Sequence, residues 1–132
     1  MLCFLSTEAG KAGGLTDYKF FCFNGEPKFL YVATGSADEG EEKETFLDLN
    51  WNPTSFKRED YPEHAIKPRK PRTFGMMVEF SRILSRDIPF VRVDFYEIGG
   101  SLYFGELTFT PGSGFVHFSE GADKELGALI SL

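Results

Sequence analysis

The sequence predicts an α+β domain in which helices cover one face of an antiparallel sheet. Three observations carry that expectation. Alternating apolar runs are closed by the tight-turn dipeptides Asn24-Gly25 and Gly99-Gly100. Fifteen Phe are punctuated by 14 Gly and 7 Pro, which suits pleated, half-buried surfaces and interrupts helices. Two stretches with helical spacing follow runs of strands, the arrangement of segregated helices and sheet. With 132 residues and 42% hydrophobic content, residues 1–132 have the size of one domain and enough apolar material for a core.

The elements are justified in chain order. DYKFFCFNGEPKFLYVAT, residues 17 to 34, reads as two strands joined by Asn24-Gly25, a pair that tolerates the positive φ of a hairpin turn. GSADEGEEKE, residues 35 to 44, is acidic and lacks the regular ligand spacing of a calcium loop, so it reads as a solvated connection. TFLDLNWNPTSF supplies a short third strand and a turn at Asn52-Pro53, with Trp51 and Asn52 as turn and packing residues. Residues 57 to 72 have little periodicity and are read as irregular. Within them KPRKPR alternates cations with prolines, which favours an extended charged connector over a phosphate-gripping loop. From Thr73, the residues Phe74, Met77, Val78, Ser81, Ile83 and Leu84 make an apolar stripe near the 3.6 period, which Asp87 to Pro89 ends. RVDFYEIGGSLYFGELTFTPGSG then supplies a second hairpin. An amphipathic helix over about residues 120 to 131 closes the chain, returning Leu126, Leu129 and Ile130 to the core.

Charge and rare residues exclude several function classes. A net charge of −6 argues against nucleic acid as a partner, because phosphate neutralisation needs concentrated Lys and Arg. Cys3 and Cys22 have neither metal spacing nor a disulfide pattern, which fits a reducing compartment. Cys22 reads as a small core residue. His64 and His117 stand alone, without a further ligand at helical or turn spacing, so no zinc site is expected. MLCFLSTEAG lacks a basic start, and no apolar stretch approaches membrane-spanning length. The expectation is a cytoplasmic protein with no direct membrane insertion.

The second hairpin asks why Arg92, Asp94, Glu106 and Thr108 alternate with apolar residues. Opposed residues of an antiparallel pair point to the same side, so the turn length decides which of them meet. A two-residue turn at Gly99-Gly100 would send Asp94 and Glu106 to opposite faces. A three-residue loop over Ile98, Gly99 and Gly100 sets Arg92 against Glu106 and gathers Arg92, Asp94, Glu106 and Thr108 on one face. Val91, Val93, Phe95, Tyr103, Leu107 and Phe109 then share the other, with Gly105 leaving room there for a close neighbour. Exposing such an apolar face would forfeit about 1.5–3 kcal/mol per side chain, so the pattern selects the three-residue loop. Both a structural Arg92–Glu106 pair and a site for one or two magnesium ions answer to this arrangement. Two acids beside one base tilt toward the cation, with Arg92 able to hold a phosphate or carboxylate bidentately.

In these residues, an acid on one strand and then, beyond a Gly-containing turn, an acid and a short polar residue two positions later, the chain resembles the carboxy-terminal lobe of an ATP-grasp domain. DYKFFCFNGEPK, DLNWN and PFVRVDFYEIGGSLYFGELTFTPGSGF together resemble more closely its TupA-like branch, from about Asp17 to the end. That branch is associated with teichuronopeptide and other surface-polysaccharide biosynthesis, and its members are often labelled glycosyltransferases. The resemblance implies ATP and magnesium (Mg2+) as cofactors and chemistry through an acyl phosphate that an amine or thiol displaces. It implies Asp94 and Glu106 as magnesium ligands, with Thr108 where many relatives have a third ligand, Asn. Arg92 would contact the transferring phosphate or the acceptor, and Asp17 or Lys19 the ribose or phosphates.

It further implies an upstream lobe with phosphate-binding lysines and hinge acids for adenine, for which this sequence has no room. Partial ATP-grasp-like chemistry on an unknown carboxylate or amine substrate is therefore expected only with that missing N-terminal lobe. Bare apolar surface would otherwise favour a homo-oligomer. A non-catalytic binding or assembly module is the alternative. A sugar-nucleotide glycosyltransferase is a third reading, though no Asp-X-Asp is present.

Overall fold

The computed structural model of the chain describes residues 2–4, 15–35, 42–56 and 62–109. In chain order these form β1 (Leu2–Phe4), β2 (Asp17–Phe23), β3 (Glu26–Thr34), β4 (Lys43–Asp48), α1 (Phe74–Leu84), β5 (Phe90–Ile98) and β6 (Ser101–Thr108). The strands make one six-stranded sheet in the order β1-β6-β5-β2-β3-β4. Neighbours run antiparallel from β6 to β4, and β1 lies parallel to β6. The class is α+β, with a helix packed on an antiparallel sheet. The expected helix over 120–131, its preceding loop and His117 lie outside the described residues, as do 36–41 and 57–61. None of the helices among the described residues is long and apolar enough to cross a membrane.

Alternation along the strands builds two apolar layers. On the helix side, Phe20 and Cys22 of β2, Leu30 and Val32 of β3, Val91, Val93 and Phe95 of β5 and Leu102 of β6 pack against Phe74 and Met77 of α1. On the other side, Phe21, Phe23, Phe29, Tyr31, Phe46 and Phe90 form a second cluster, in which Phe21 stacks on Phe29 at 4.7 Å between ring centroids. Because both faces carry apolar layers, FFCF and FLYVA read as continuous runs rather than as alternation. Cys22 is a buried free thiol, and burial pushes it up to about 12, which suits the expected role as core filler.

The helix stripe folds largely as expected. Phe74, Met77 and Ser81 are buried, whereas Ile83 is exposed. Thr73 stands at the N-terminal end without capping its own helix. Its N–H and Oγ1–H donate instead to Glu97 Oε2 on β5, at 2.8 and 2.7 Å. Burial raises the Glu97 carboxyl, but the Thr73 hydrogen bonds and Arg72 outweigh it, so its pKa lies below the ordinary value. A strand carboxylate thus satisfies helix donors that the helix's own sequence leaves open.

The region before the helix is irregular where described, yet tied down. Asp48 Oδ1 accepts from the backbone N–H of Asn50 and Asn52, which turns the chain through Trp51 at φ 64°. Trp51 Nε1–H donates to the Pro68 carbonyl at 2.8 Å, and Lys67 Nζ donates to the Trp51 carbonyl at 3.1 Å. Lys70 lies over the Phe74 ring. KPRKPR is therefore a strap fastened across the start of α1. His64 links Thr34 and Thr45, its two ring nitrogens each 2.7 Å from a threonine hydroxyl. This tie holds the strap to β3 and β4.

Candidate functional site

The β5–β6 hairpin positions the polar residues by a route different from the expected one. Ile98 pairs with Ser101 across a two-residue turn, with Gly99 at φ 58° and Gly100 at φ 82°. Two residues with positive φ match the twist of the flanking strands, so the three-residue loop is not used. The extra residue sits farther along. Phe95 pairs with Phe104 but Val93 with Leu107, so Gly105 and Glu106 together face Asp94. This bulge shifts the parity of β6 by one, and Arg92 comes to face Thr108.

The shift sorts the neighbours. Leu107 packs on the helix-side core. Tyr103 pairs with Tyr96, so it shares the Asp94 face and not the apolar face on which it was expected. Gly105 borders the Asp94 face as well. A Cβ there would lie 2.9 Å from Tyr96 Cε2 and 3.1 Å from the Asp94 carbonyl oxygen, so the bulge needs glycine.

Strand order adds what the hairpin alone lacks. β2 lies beside β5 with Asp17 opposite Tyr96, Lys19 opposite Asp94 and Phe21 opposite Arg92. Asp17, Lys19, Arg92, Asp94 and Tyr96 therefore occupy one face, next to the aromatic layer of Phe21 and Tyr31. Asp94 is the centre and is 1% exposed. Lys19 Nζ donates to its Oδ2 at 2.8 Å. Arg92 grips it bidentately, Nε to Oδ1 and Nη2 to Oδ2, both at 2.9 Å. Glu106 approaches Arg92 Nη2 at 3.7 Å while its side chain stays 67% exposed, so the cluster opens to solvent on that side.

The electrostatics follow from burial and charge. Burial raises the pKa of Asp17, outweighing Lys19 at 3.8 Å, and its Oδ1 has no hydrogen-bond partner among the described residues. Burial and the neighbouring Asp17 raise the Tyr96 hydroxyl. Burial works against the charge of Arg92, but the hydrogen bonds and charge of Asp94 overcome it and hold the guanidinium proton more firmly than usual. The result is two cations concentrated on one buried carboxylate, with a second carboxylate at the mouth.

A match to the TupA-like ATP-grasp family extends over residues 6–131. The chain belongs to the TupA-like ATP-grasp family. Comparison with curated proteins and with solved structures returned no match. ATP-grasp proteins in general use ATP and Mg2+, so the acidic residues of this TupA-like ATP-grasp chain can be tested for a metal. Among the described residues, no group of three or more His, Cys, Asp or Glu is placed to hold a metal ion. Both Asp94 oxygens already carry a cation, and Thr108 stands opposite Arg92. Magnesium does not fit Asp94 as it is paired here.

Lys19 meeting Asp94 directly, and Tyr96 joining the face, are the features that sequence reasoning missed. Tyr96 was within reach, since it lies two residues beyond Asp94 on one strand. The Lys19 contact depends on β2 lying beside β5, which no local pattern announces. A separate open groove, lined by Glu26, Glu79, Arg82 and Arg86, lies between the β2–β3 turn and the end of α1. Its cations are partly spent, because Arg82 pairs with Glu26 and Glu79 at 3.1 Å each.

Proposed function

We propose that the Lys19–Arg92–Asp94 face is the phosphate-facing surface of an ATP-dependent, ATP-grasp-type ligase in surface-polysaccharide or teichuronopeptide biosynthesis. ATP and magnesium are the cofactors that the family implies, and the substrate class is a carboxylate joined to an amine. The observation that carries the reading is the convergence of Lys19 and Arg92, from two strands, on one face that opens at Glu106. An ammonium and a planar guanidinium side by side suit a polyphosphate, one as a compact charge and the other as a bidentate fork. Such a surface positions and neutralises phosphates, which is most of what phosphoryl transfer asks of a protein.

In this reading Arg92 contacts the transferring phosphate or the acceptor, Lys19 the phosphates, and Asp17 the nucleotide's edge. Asp94, Glu106 and Thr108, the metal end that the family implies, would donate oxygens only with Lys19 and Arg92 turned from Asp94 to the phosphates. The face offers phosphate contacts, so ATP binding by residues 1–132 is expected to be weak. A cytoplasmic location and a homo-oligomer belong to the same proposal. The rival, an assembly module pairing through a bare strand edge, has less support at β4. That edge is already used by the chain itself, through Glu44 N–H to the Pro62 carbonyl and Thr54 N–H to the Phe46 carbonyl.

Titration calorimetry with ATP, with and without magnesium, on the parent, Lys19→Gln and Arg92→Gln tests the reading. Weak binding by the parent that each substitution lowers by about tenfold is expected, the loss of one charge-assisted contact. Binding indifferent to both substitutions, or none by the parent at millimolar nucleotide, would reject it.

A further inference from the structure

We infer that the KPRKPR strap, with Ile66 in front of it, is a peripheral docking surface for an anionic lipid membrane. The inference concerns the helix side of the sheet and takes nothing from the nucleotide reading.

KPRKPR holds four of the chain's 14 Lys and Arg in six residues, against a net charge of −6 for the whole. Lys67, Arg69, Lys70 and Arg72 are all exposed, whereas Pro68 is half-buried and Pro71 buried. Prolines three apart share one edge of an extended chain with three residues per turn, so the cations fall on the edges left to solvent. Among the described residues, no carboxylate forms an ion pair with Arg69 or Lys70. The strap is also held in place. Trp51 Nε1–H donates to the Pro68 carbonyl, Lys67 Nζ to the Trp51 carbonyl, and the Phe74 N–H to the Pro71 carbonyl at 3.2 Å. A backbone fixed in advance has little freedom left to lose on binding.

Ile66 chooses the partner. It is 85% exposed and directly precedes the cations. Ile98, beside the β5–β6 turn, is 37% exposed, and Arg72 Nη1 reaches that turn, 3.7 Å from where a Cβ on Gly100 would stand. Cations flanked by bare aliphatic side chains suit a headgroup layer, where the charges meet lipid phosphates and the aliphatic tips meet the acyl boundary. A single-stranded nucleic acid would ask for open rings on which to stack, and the rings beside the strap, Trp51 and Phe74, are each 7% exposed. Both rings belong to the helix-side layer, so a membrane met here leaves the opposite, Asp94 face open.

The test is flotation with large unilamellar vesicles, of phosphatidylcholine alone or with one-third phosphatidylglycerol. The parent should float with the anionic vesicles only, and it should be released as sodium chloride nears about 1 M, where the Debye length is about 3 Å. Arg69→Gln should weaken binding about fivefold, the share of one cation near an anionic surface. Lys28→Gln removes the same charge from an exposed position on β3 near the other end of the sheet, and it should leave binding unchanged. Ile66→Ser should weaken binding about tenfold through the lost apolar contact. All three positions are exposed, so the variants should share the urea midpoint of the parent. No binding to anionic vesicles, no preference for them, or equal losses for Arg69→Gln and Lys28→Gln would overturn the proposal. So would full binding by Ile66→Ser, the mark of a charge-only surface such as an acidic protein would use.

Discussion

Gly105 is the residue at which one methyl group matters most. The bulge presses its α-carbon over Tyr96 and Asp94, and a Cβ would meet the Asp94 carbonyl oxygen at 3.1 Å, a backbone atom with little freedom to retreat. Gly105→Ala should therefore cost about 1–3 kcal/mol, as overpacking does. A shift of the urea midpoint at unchanged slope would measure it. If the alanine variant is as stable as the parent, the close approach at the bulge is wrong. The alternation of polar and apolar residues requires one residue more in this hairpin than a simple ladder allows. Its place was not legible, because glycine pairs announce turns, whereas a bulge has no signal beyond a single glycine and the parity it repairs.

At the scale of elements, α1 begins on a carboxylate borrowed from β5. Glu97 accepts from the Thr73 N–H and Oγ1–H, and its pKa falls below the ordinary glutamate value. A carboxyl whose folded pKa is lowered adds stability that is present above its unfolded pKa and lost as pH falls through the folded one. Glu97→Gln should cost about 1 kcal/mol near neutral pH, the worth of a helix cap. The gap to the parent should narrow as pH drops below about 4.5, and urea midpoints for both proteins across that range would show it. A gap independent of pH would mean that the charge plays no part in the cap.

The helix itself was legible in the spacing of Phe74, Met77 and Ser81. Its N-terminal partner was not, since Thr73 and Glu97 lie 24 positions apart. β1 was missed for a simpler reason. Leu2–Phe4 is three residues long, too short for any period to show, and it owes its strand geometry to β6.

At the scale of the molecule, the order of the sheet makes the site. The hairpin pattern alone placed Arg92, Asp94, Glu106 and Thr108 together, because parity is a local property. Lys19 reaches Asp94 from 75 positions away only because β2 inserts between β5 and β3. The second apolar layer was also hidden. A sheet covered by a helix on one face is expected to alternate, yet β2 and β3 bury residues on both, and Phe21, Phe29 and Phe46 give the polar cluster an aromatic wall. That wall lowers the local dielectric and strengthens the grip of Lys19 and Arg92 on Asp94.

The phosphate-facing role of the Asp17–Glu106 face turns on where a nucleotide would lie. A crystal structure of the chain with magnesium and a non-hydrolysable ATP analogue examines this directly. The phosphates are expected on the Asp17–Glu106 face, with Lys19 Nζ and the Arg92 guanidinium turned from Asp94 onto phosphate oxygens. Phosphates lodged in the groove beside Arg82 and Arg86, with the Lys19 and Arg92 pairs to Asp94 intact, would contradict it.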